Sequence, residues 1–437
     1  MKLYLTEDSN LRDSGFSDAT HALQVPRHRW YPVKEAFSPE LVKHASAESN
    51  LRKGAMIFDP FSGSGTVCLS AAQGGFKAKA VEVNPFLAFL GQTKLVSCKD
   101  ESLKKLYEAT KLASDSDAVT LLESFSTFTS KSGKEKWLFP FKALRAGLAG
   151  LSFVEGLDTP EAKLVKLALI GATMDCCNAY KDGKCLRYKR NWRESEASRA
   201  DFFDYFDGRI RMMRDDLRSD NLDSKQCSIT RGDSRKILGD MVSDPFGLIL
   251  TSPPYLNSFD YSDIYRPELF IGGFVNSHED LTNLRLQTVR SHVQVKWKAP
   301  DQSEFGLLYS KALACLIEQK SVLWDRRIPL MVQAYFEDMS TLLTEARDKS
   351  SHSCQFWIVV STSVYAGIEI PVDLILAEMA ASKGWILKQV SVVRKLRSSS
   401  QHTLRGGANS YEPVQLRESV VILEADPKWR RSRREML

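Results

Sequence analysis

Residues 55–66 have the sequence Ala-Met-Ile-Phe-Asp-Pro-Phe-Ser-Gly-Ser-Gly-Thr, an apolar run that ends in a glycine-bearing loop. The run up to Asp59 has the length and character of a short buried strand. A helix is predicted over 67–73, where Gly74-Gly75 ends it, and a second strand is predicted over 78–83. Strand, glycine loop, helix and strand in this order predict a unit of the dinucleotide-binding type within an α/β fold.

The glycine loop and the end of the second strand carry groups that could hold a cofactor. Glycines allow the backbone to approach a ligand where a Cβ would clash. Glu82 lies 17 positions after Gly65, where its carboxylate could accept hydrogen bonds from ribose hydroxyls. The loop lacks the third glycine of the GxGxxG pattern, which argues against a nicotinamide cofactor. A glycine turn that only packs a helix on a strand would explain the loop alone, but it explains the loop together with Glu82 less well.

A second informative stretch is Thr251-Ser252-Pro253-Pro254-Tyr255, which follows the apolar run 246–250. Proline has no N–H to donate, so two adjacent prolines end the strand at its carboxyl edge. Open α/β sheets bind their ligands at that edge. A hydroxyl, unpaired carbonyls and an aromatic face on a stiff support suit a flat, hydrogen-bonding ring. Taken alone, the stretch is better explained as a proline turn that ends a strand.

Composition excludes several classes of protein. The 437 residues are 43% hydrophobic and 26% charged, enough for one elaborated domain or two. The eight cysteines include no CxxC pair, which predicts neither a zinc site nor a disulfide framework and fits a reducing cytoplasm. We expect no membrane span and no signal peptide. A net charge of +6 permits a polyanionic partner without requiring one.

Two stretches interrupt the strand pattern, a mainly helical one over 100–225 and an irregular one over 256–304. Within the first, residues 178–193 interleave six basic residues with three aromatics, a mixture suited to phosphate contact and base stacking. A solvated loop is an equal alternative. We also predict a flexible segment over 397–409 and a basic tail from 426 to the end.

Several motifs together resemble the S-adenosylmethionine-dependent amino-group DNA methyltransferases, and in particular the TSPPY-type enzymes that methylate N4 of cytosine. They are Phe37-Ser-Pro-Glu-Leu-Val42 (similar to motif X), Asp59-Pro-Phe-Ser-Gly-Ser-Gly-Thr66, Glu82-Val-Asn-Pro85, Gly232-Asp233 and Thr251–Tyr255. The resemblance covers 20–95 and 226–424. It implies a Rossmann-like α/β fold with a mostly parallel seven-stranded sheet, the last strand antiparallel, and a helical insert.

The resemblance divides the chain into a motif X and cofactor half (20–99), a helical insert and candidate target-recognition region (100–225), and a catalytic half (226–425) interrupted by 256–304. It implies S-adenosylmethionine as cofactor, bound by Phe37, Asp59, Phe61, Gly63, Gly65, Thr66, Glu82, Asn84, Asp233 and Thr251. As a helix cap, Asp233 would have a structural role instead. The implied catalytic residues are Ser252, Pro253, Pro254 and Tyr255.

The resemblance implies double-stranded DNA as the substrate, with the target base flipped into the pocket. The implied substrate-binding residues are Asn257, Asp260, Lys184, Arg187, Arg290 and Lys296. Tyr255 would stack on the flipped ring, and the Ser252 hydroxyl and Pro253 carbonyl would bind its amino group. No cysteine follows either proline, which argues against methylation of cytosine C5. Transfer would be a direct in-line displacement without a covalent enzyme intermediate.

Other functions remain open at this point. An adenine-N6 DNA methyltransferase, an RNA guanine-N2 methyltransferase and an inactive DNA-binding subunit would share much of this pattern. Serine before Pro-Pro-Tyr favours cytosine N4. A cytoplasmic enzyme of a bacterium or archaeon is expected. Which insert contacts the target, and whether a restriction nuclease or defence-system subunits act with it, are left open.

Overall fold

A computed structural model describes residues 5–6, 16, 19–116, 120–182, 185–220, 222–396 and 415–429. The predicted substrate residue Lys184, the predicted flexible segment 397–409 and the basic tail beyond 429 lie outside the described residues.

The described residues form a central eight-stranded sheet with two short hairpins beside it. The strands are β1 (Leu5–Thr6), β2 (Met56–Asp59), β3 (Lys77–Glu82), β4 (Ala179–Lys181), β5 (Leu186–Tyr188), β6 (Cys227–Arg231), β7 (Phe246–Thr251), β8 (Ser350–Ser361), β9 (Ser363–Tyr365), β10 (Ile368–Ile370), β11 (Trp385–Leu396) and β12 (Leu416–Ala425).

The strand order in the sheet is β1-β11-β12-β8-β7-β2-β3-β6. β12 is antiparallel to both of its neighbours, and every other pair in the sheet is parallel. The predicted seven-stranded Rossmann-like sheet with an antiparallel last strand is therefore confirmed, and the two-residue β1 extends it at one edge. β4–β5 and β9–β10 are separate antiparallel hairpins.

The helices cover both faces of the sheet and form most of the segment between β3 and β6. They are α1 (Pro39–Glu48), α2 (Thr66–Gly74), α3 (Pro85–Lys94), α4 (Asp100–Ser114), α5 (Phe141–Val154), α6 (Pro160–Asp175), α7 (Arg199–Ser219), α8 (Ser234–Ile237), α9 (Tyr261–Ile264), α10 (Arg266–Ile271), α11 (His278–Gln287), α12 (Leu307–Glu318), α13 (Ile328–Asp348) and α14 (Val372–Ala381). Short 3₁₀ helices cover Ala19–Gln24, His28–Trp30, Leu121–Ser124 and Ser130–Ser132.

Side-chain alternation divides the sheet residues between two cores. Ile57 and Leu248 pack with α1 and α2 on one face, whereas Phe58 and Ile249 pack with α13 and α14 on the other. Successive side chains of a strand point to opposite faces, and parallel strands covered by helices on both faces are apolar throughout. The apolar runs that predicted these strands are thus a direct result of burial on both sides.

The helical insert has a core of its own, and the second insert shares it. Phe202 of α7 and Leu144 of α5 lie in the same apolar cluster as Phe270 of α10 and Leu281 of α11. Phe86 of α3 connects this cluster to the sheet domain. The two inserts therefore pack together as one lobe beside the sheet. Within the described part of the chain, no helix combines the length and apolarity needed to cross a membrane.

The turn between β2 and α2 requires glycine for its packing. Gly65 has a φ of +83°, and a Cβ on it would lie 2.7 Å from the Cα of Gly91 in α3. We expect Gly65→Ala to lower the free energy of unfolding by about 1–3 kcal/mol, because both backbone strain and overpacking oppose it. Chemical denaturation of the two proteins measures the difference.

The matched control is Gly208→Ala in the exposed part of α7, where a Cβ would meet nothing within 4 Å. Alanine should there stabilise the protein by about 0.5–1 kcal/mol. Equal effects at the two positions would contradict the close approach of α3 to the loop.

Candidate active site

A large cavity opens at the carboxyl edge of the sheet, with a volume of about 1790 Å³. Its wall contains residues that directly follow β2, β3, β6 and β7, together with the segment before α1. The predicted site residues in the wall are Phe37, Phe61, Gly63, Thr66, Glu82, Asn84, Asp233, Ser252, Pro253, Pro254, Tyr255, Asn257 and Arg187. Ligand pockets typically have volumes of about 300–1,000 Å³, so this one is large enough for two ligands side by side.

Glu82 organises the cofactor side of the cavity. Its carboxylate accepts hydrogen bonds from the backbone N–H of Gly63 at 2.7 Å and of Asn84 at 2.8 Å. Burial raises the pKa of Glu82 to about 7, against the opposing effect of these backbone donors. The side chain of Asn84 in turn caps α3 through the N–H of Phe86 at 3.0 Å. The glycine loop, β3 and α3 are therefore joined through one carboxylate at the cavity wall.

Asp59 and Thr251 lie beneath the wall rather than in it. Both are buried, and the Thr251 hydroxyl donates a 2.7 Å hydrogen bond to Asp59 Oδ1, which also accepts from the N–H of Phe61 at 3.0 Å. They connect the glycine loop after β2 with the proline turn after β7. Their placement differs from the predicted direct contact with the cofactor, because each side chain is used to join two strand ends.

Gly65 also lies outside the cavity wall, in contrast to the prediction that it contacts the cofactor. Its lack of a side chain serves the close approach of Gly91 from α3. Gly63 is different. It lies in the wall with a φ of +50°, and a Cβ on it would meet no protein atom within 4 Å. Of the two predicted glycines, Gly63 is the one that leaves room for a ligand.

Asp233 both caps a helix and lies in the cavity wall. Its carboxylate accepts the N–H of Arg235 at 3.1 Å and forms a two-pronged ion pair with the guanidinium of Arg235, each contact being 2.8 Å. Arg235 is itself paired with Asp338 of α13. The capping role that the sequence left open is therefore present, and the carboxylate is held rigidly at the cavity wall.

The proline turn presents Ser252 and Tyr255 to the cavity. The Tyr255 hydroxyl donates a 2.5 Å hydrogen bond to Glu418 at the start of β12, and the Ser252 side chain also bonds to it. Burial raises the pKa of Tyr255 well above its ordinary value, and the neighbouring Glu418 raises it further. The phenol therefore keeps its proton at neutral pH. Glu418 is 3% exposed and is paired with Arg394 of β11 at 3.2 Å.

The remaining predicted substrate residues are scattered. Asp260 is buried, caps α9 and pairs with Arg285 at 2.5 Å. Arg290 is paired with Glu337 and Asp338 at 2.6 Å, so its charge is neutralised within the protein. Lys296 is exposed but lies away from the cavity wall. Asp260 and Arg290 thus have structural contacts within the protein, and their contact with substrate stays a prediction.

Glu418 is the site residue that sequence reasoning missed. It is the third residue of β12, and the residues after it, Ser419 to Leu423, are buried and mostly apolar. A carboxylate at the buried start of such a strand is unusual enough to mark a special contact. Its proximity to Tyr255, 163 positions earlier in the chain, follows from the strand order and could not be inferred from spacing.

Burial gives Asp59 a measurable effect on stability. Its pKa is raised from 3.8 to about 7, so the folded protein keeps a proton that the unfolded chain releases, and stability falls as the pH rises across this range. We expect Asp59→Asn to flatten this fall by up to about 1.4 kcal/mol per pH unit. Denaturation midpoints across the pH range test this, with Asp158→Asn on the surface as control. An unchanged pH profile for Asp59→Asn would show that Asp59 is ionised in the folded protein.

Known proteins of similar sequence are methyltransferases, which agrees with the arrangement of the cavity residues. The Type II methyltransferase M.AvaI of Nostoc sp. (strain PCC 7120 / SAG 25.82 / UTEX 2576) is 24% identical over 413 residues, which are 87% of this chain and 83% of that protein. M.BsoBI of Geobacillus stearothermophilus, also a Type II methyltransferase, is 23% identical over 449 residues, 91% of this chain and 85% of that protein. No protein-family model matches the chain.

Solved structures show only distant likeness. TrmN of Thermus thermophilus has a TM-score of 0.28 at 10% identity, covering 89% of this chain and 48% of that one. The rRNA methyltransferase aviRa of Streptomyces viridochromogenes has a TM-score of 0.31 at 11% identity, covering 95% and 94%. These scores are too low to carry an argument.

The glycine loop, Glu82 and the proline turn surround one cavity, and the chain is similar to Type II methyltransferases over most of its length. Together these findings identify the cofactor as S-adenosylmethionine. The similarity to Type II methyltransferases agrees with the motifs, which resemble those of the S-adenosylmethionine-dependent amino-group DNA methyltransferases.

Proposed function

We propose that this enzyme methylates the exocyclic N4 of a cytosine that is flipped out of double-stranded DNA. One observation carries the proposal: the glycine loop with Glu82 and the turn Ser252–Tyr255, which follow neighbouring or nearby parallel strands, line the same cavity. A methyl donor held by the first would face an amino group held by the second.

The cavity residues fit the cofactor chemically. Gly63 leaves open space beside the loop, and the Glu82 carboxylate is held in place by two backbone donors. Glu82 would accept hydrogen bonds from the ribose hydroxyls, and Phe37 and Asp233 would flank the adenine. When bound, S-adenosylmethionine supplies a methyl group on a positively charged sulfur.

The proline turn would orient the acceptor. The Ser252 hydroxyl and the Pro253 carbonyl would hydrogen-bond the N4 amino group, so that its lone pair is directed out of the ring system and toward the methyl group. The Tyr255 ring would stack on the flipped base. Orientation of two bound reactants can supply about 7–11 kcal/mol of the barrier, which is enough to make a covalent enzyme intermediate unnecessary.

Base flipping is required because the amino group of the target base must reach the cavity. An amino group inside a stacked base pair cannot enter a cavity behind the sheet edge, so the nucleotide would have to leave the stack, at a cost of a few kcal/mol. The cavity volume of about 1790 Å³ supports this, since it exceeds the needs of a cofactor alone.

Nucleoside analysis of DNA methylated in vitro tests the acceptor. We expect N4-methylcytosine from the natural protein. Ser252→Ala should reduce kcat by about 10²-fold, because a misplaced acceptor loses that much. Binding of S-adenosylmethionine, measured by calorimetry, should be unchanged in the variant. The control Ser228→Ala alters an exposed serine on the edge strand β6 and should leave activity unaffected.

Other outcomes would displace the proposal. If the product were N6-methyladenine, the enzyme would be an adenine-N6 methyltransferase. If it methylated tRNA and not duplex DNA, its substrate would be RNA. Failure of the protein to bind S-adenosylmethionine would leave only a DNA-binding role. Undiminished activity of Ser252→Ala would remove Ser252 from the mechanism.

We expect Glu418 to act as a positioning residue for Tyr255. Glu418→Ala should lower kcat while leaving the affinity for S-adenosylmethionine unchanged, because the ring of Tyr255 loses its hydrogen-bond partner. Glu418→Gln keeps an acceptor for the phenol and should restore most of kcat. Steady-state kinetics with separate kcat and KM values measure this.

Glu424→Ala is the control, since Glu424 lies on the same strand and pairs with Lys388 at 3.2 Å. It aligns with Gln355, whereas Glu418 aligns with Ser361 at the cavity end of β8. If the glutamine variant were as impaired as the alanine variant, kcat would depend on the negative charge of Glu418 and not on the orientation of Tyr255.

A further inference from the structure

The β4–β5 hairpin of the helical insert reaches the mouth of the active-site cavity. Asp182 and Cys185, at the ends of its turn, and Arg187 on β5 all lie in the cavity wall. The hairpin comes from a different part of the chain than the loops that form the rest of the wall. Its exposed residues therefore lie beside the cavity that a flipped base would enter.

The inner face of the hairpin is fixed to the protein. Lys181 forms an ion pair with the fully buried Glu268 of α10, and its ammonium lies 3.8 Å from the ring centre of Tyr265. Ala179 is buried beside them. Trp192, just after the hairpin, is also buried and packs edge-on against Trp137 at 4.6 Å. These aromatic and charged contacts make the hairpin a rigid support and leave Trp192 no face for stacking on a base.

The outer face of the hairpin is exposed and basic. Tyr180 and Arg187 are cross-strand partners, so their side chains share this face, and they are 46% and 63% exposed. Arg187 is paired with Asp182 at 2.8 Å, so the free cations in the described part of this face are the residues that follow it. Lys189 and Arg190 follow directly, and both are exposed. Neither forms an ion pair with another described residue. From 179 to 193 the sequence contains six basic residues and one acidic residue.

The second insert has a single exposed lysine or arginine outside any ion pair with a described residue, Lys296, whereas the hairpin segment has the adjacent Lys189 and Arg190. The basic residues Arg285 and Arg290 of the second insert are each bound to carboxylates and are largely buried, with 19% and 13% of their side chains exposed. Its exposed Lys298 is paired with Asp301. Phosphate binding requires cations that are free to exchange their counterions, which favours the hairpin over these residues.

We propose that the β4–β5 hairpin, with Lys189 and Arg190 after it, is the surface that binds duplex DNA beside the flipped nucleotide. Lys189 and Arg190 bind phosphates, and the exposed Tyr180–Arg187 pair contacts the DNA next to the cavity mouth. This assignment rests on the proposed function and adds to it the part of the chain that holds the substrate.

The test compares two double variants of the full chain that remove the same charge. Lys189→Ala/Arg190→Ala alters the hairpin. Arg52→Ala/Lys53→Ala alters two exposed basic residues just before β2, at the opposite edge of the sheet. Binding to a fluorescent duplex of unselected sequence is measured by anisotropy over a range of KCl concentrations, and binding of S-adenosylmethionine is measured by calorimetry.

We expect the slope of log Kobs against log [KCl] to fall in magnitude by about two for the hairpin variant, since each phosphate contact contributes about 0.9. The control should keep the natural slope, and both variants should bind S-adenosylmethionine normally. Arg187→Ala should raise the KM for DNA. An unchanged slope in the hairpin variant overturns this assignment while leaving the proposed function intact. Failure of the natural protein to bind duplex DNA overturns both.

Discussion

The hydrogen bond from Thr251 to Asp59 is the contact on which the active site depends. It joins the ends of β7 and β2, two neighbouring parallel strands, at a fully buried position. Above it, one strand continues into the glycine loop and the other into the proline turn. The distance between the two loops, and with it the proposed distance between methyl donor and acceptor, is therefore fixed by the pairing of β2 with β7 and by this bond between side chains that need not touch either ligand.

The same arrangement recurs along this edge of the sheet. Asp59, Glu82, Asp233 and Glu418 each accept hydrogen bonds from a neighbouring loop or strand. Burial raises the pKa of Asp59 and Glu82 to about 7, so these two carboxyls are costly to keep charged and gain from every donor around them. Carboxyl groups thus link the loops and strands around the site. The free-energy cost of burying them is offset by the hydrogen bonds that they accept.

The packing of the two inserts against each other places the β4–β5 hairpin at the active-site cavity. Because α9–α11 share a core with α4–α7, the hairpin of the first insert is anchored on Glu268 and Tyr265 of the second. That anchoring brings residues near position 185 to a cavity built by residues near positions 63 and 253. A lobe assembled from both inserts is consistent with one continuous surface for DNA beside the proposed catalytic turn.

The chain's local patterns were sufficient for the sheet and for the two loops that surround the cavity. Apolar strands buried on both faces, a glycine loop, an acidic residue at a strand end and a proline turn are all local, and each reflects a constraint on one element. The partners of Asp59, Gly65, Asp260 and Arg290, and the presence of Glu418 and the hairpin at the cavity, could not be inferred in this way. Those contacts join residues far apart in the chain, and the strand order and the packing of the two inserts determine which of them meet.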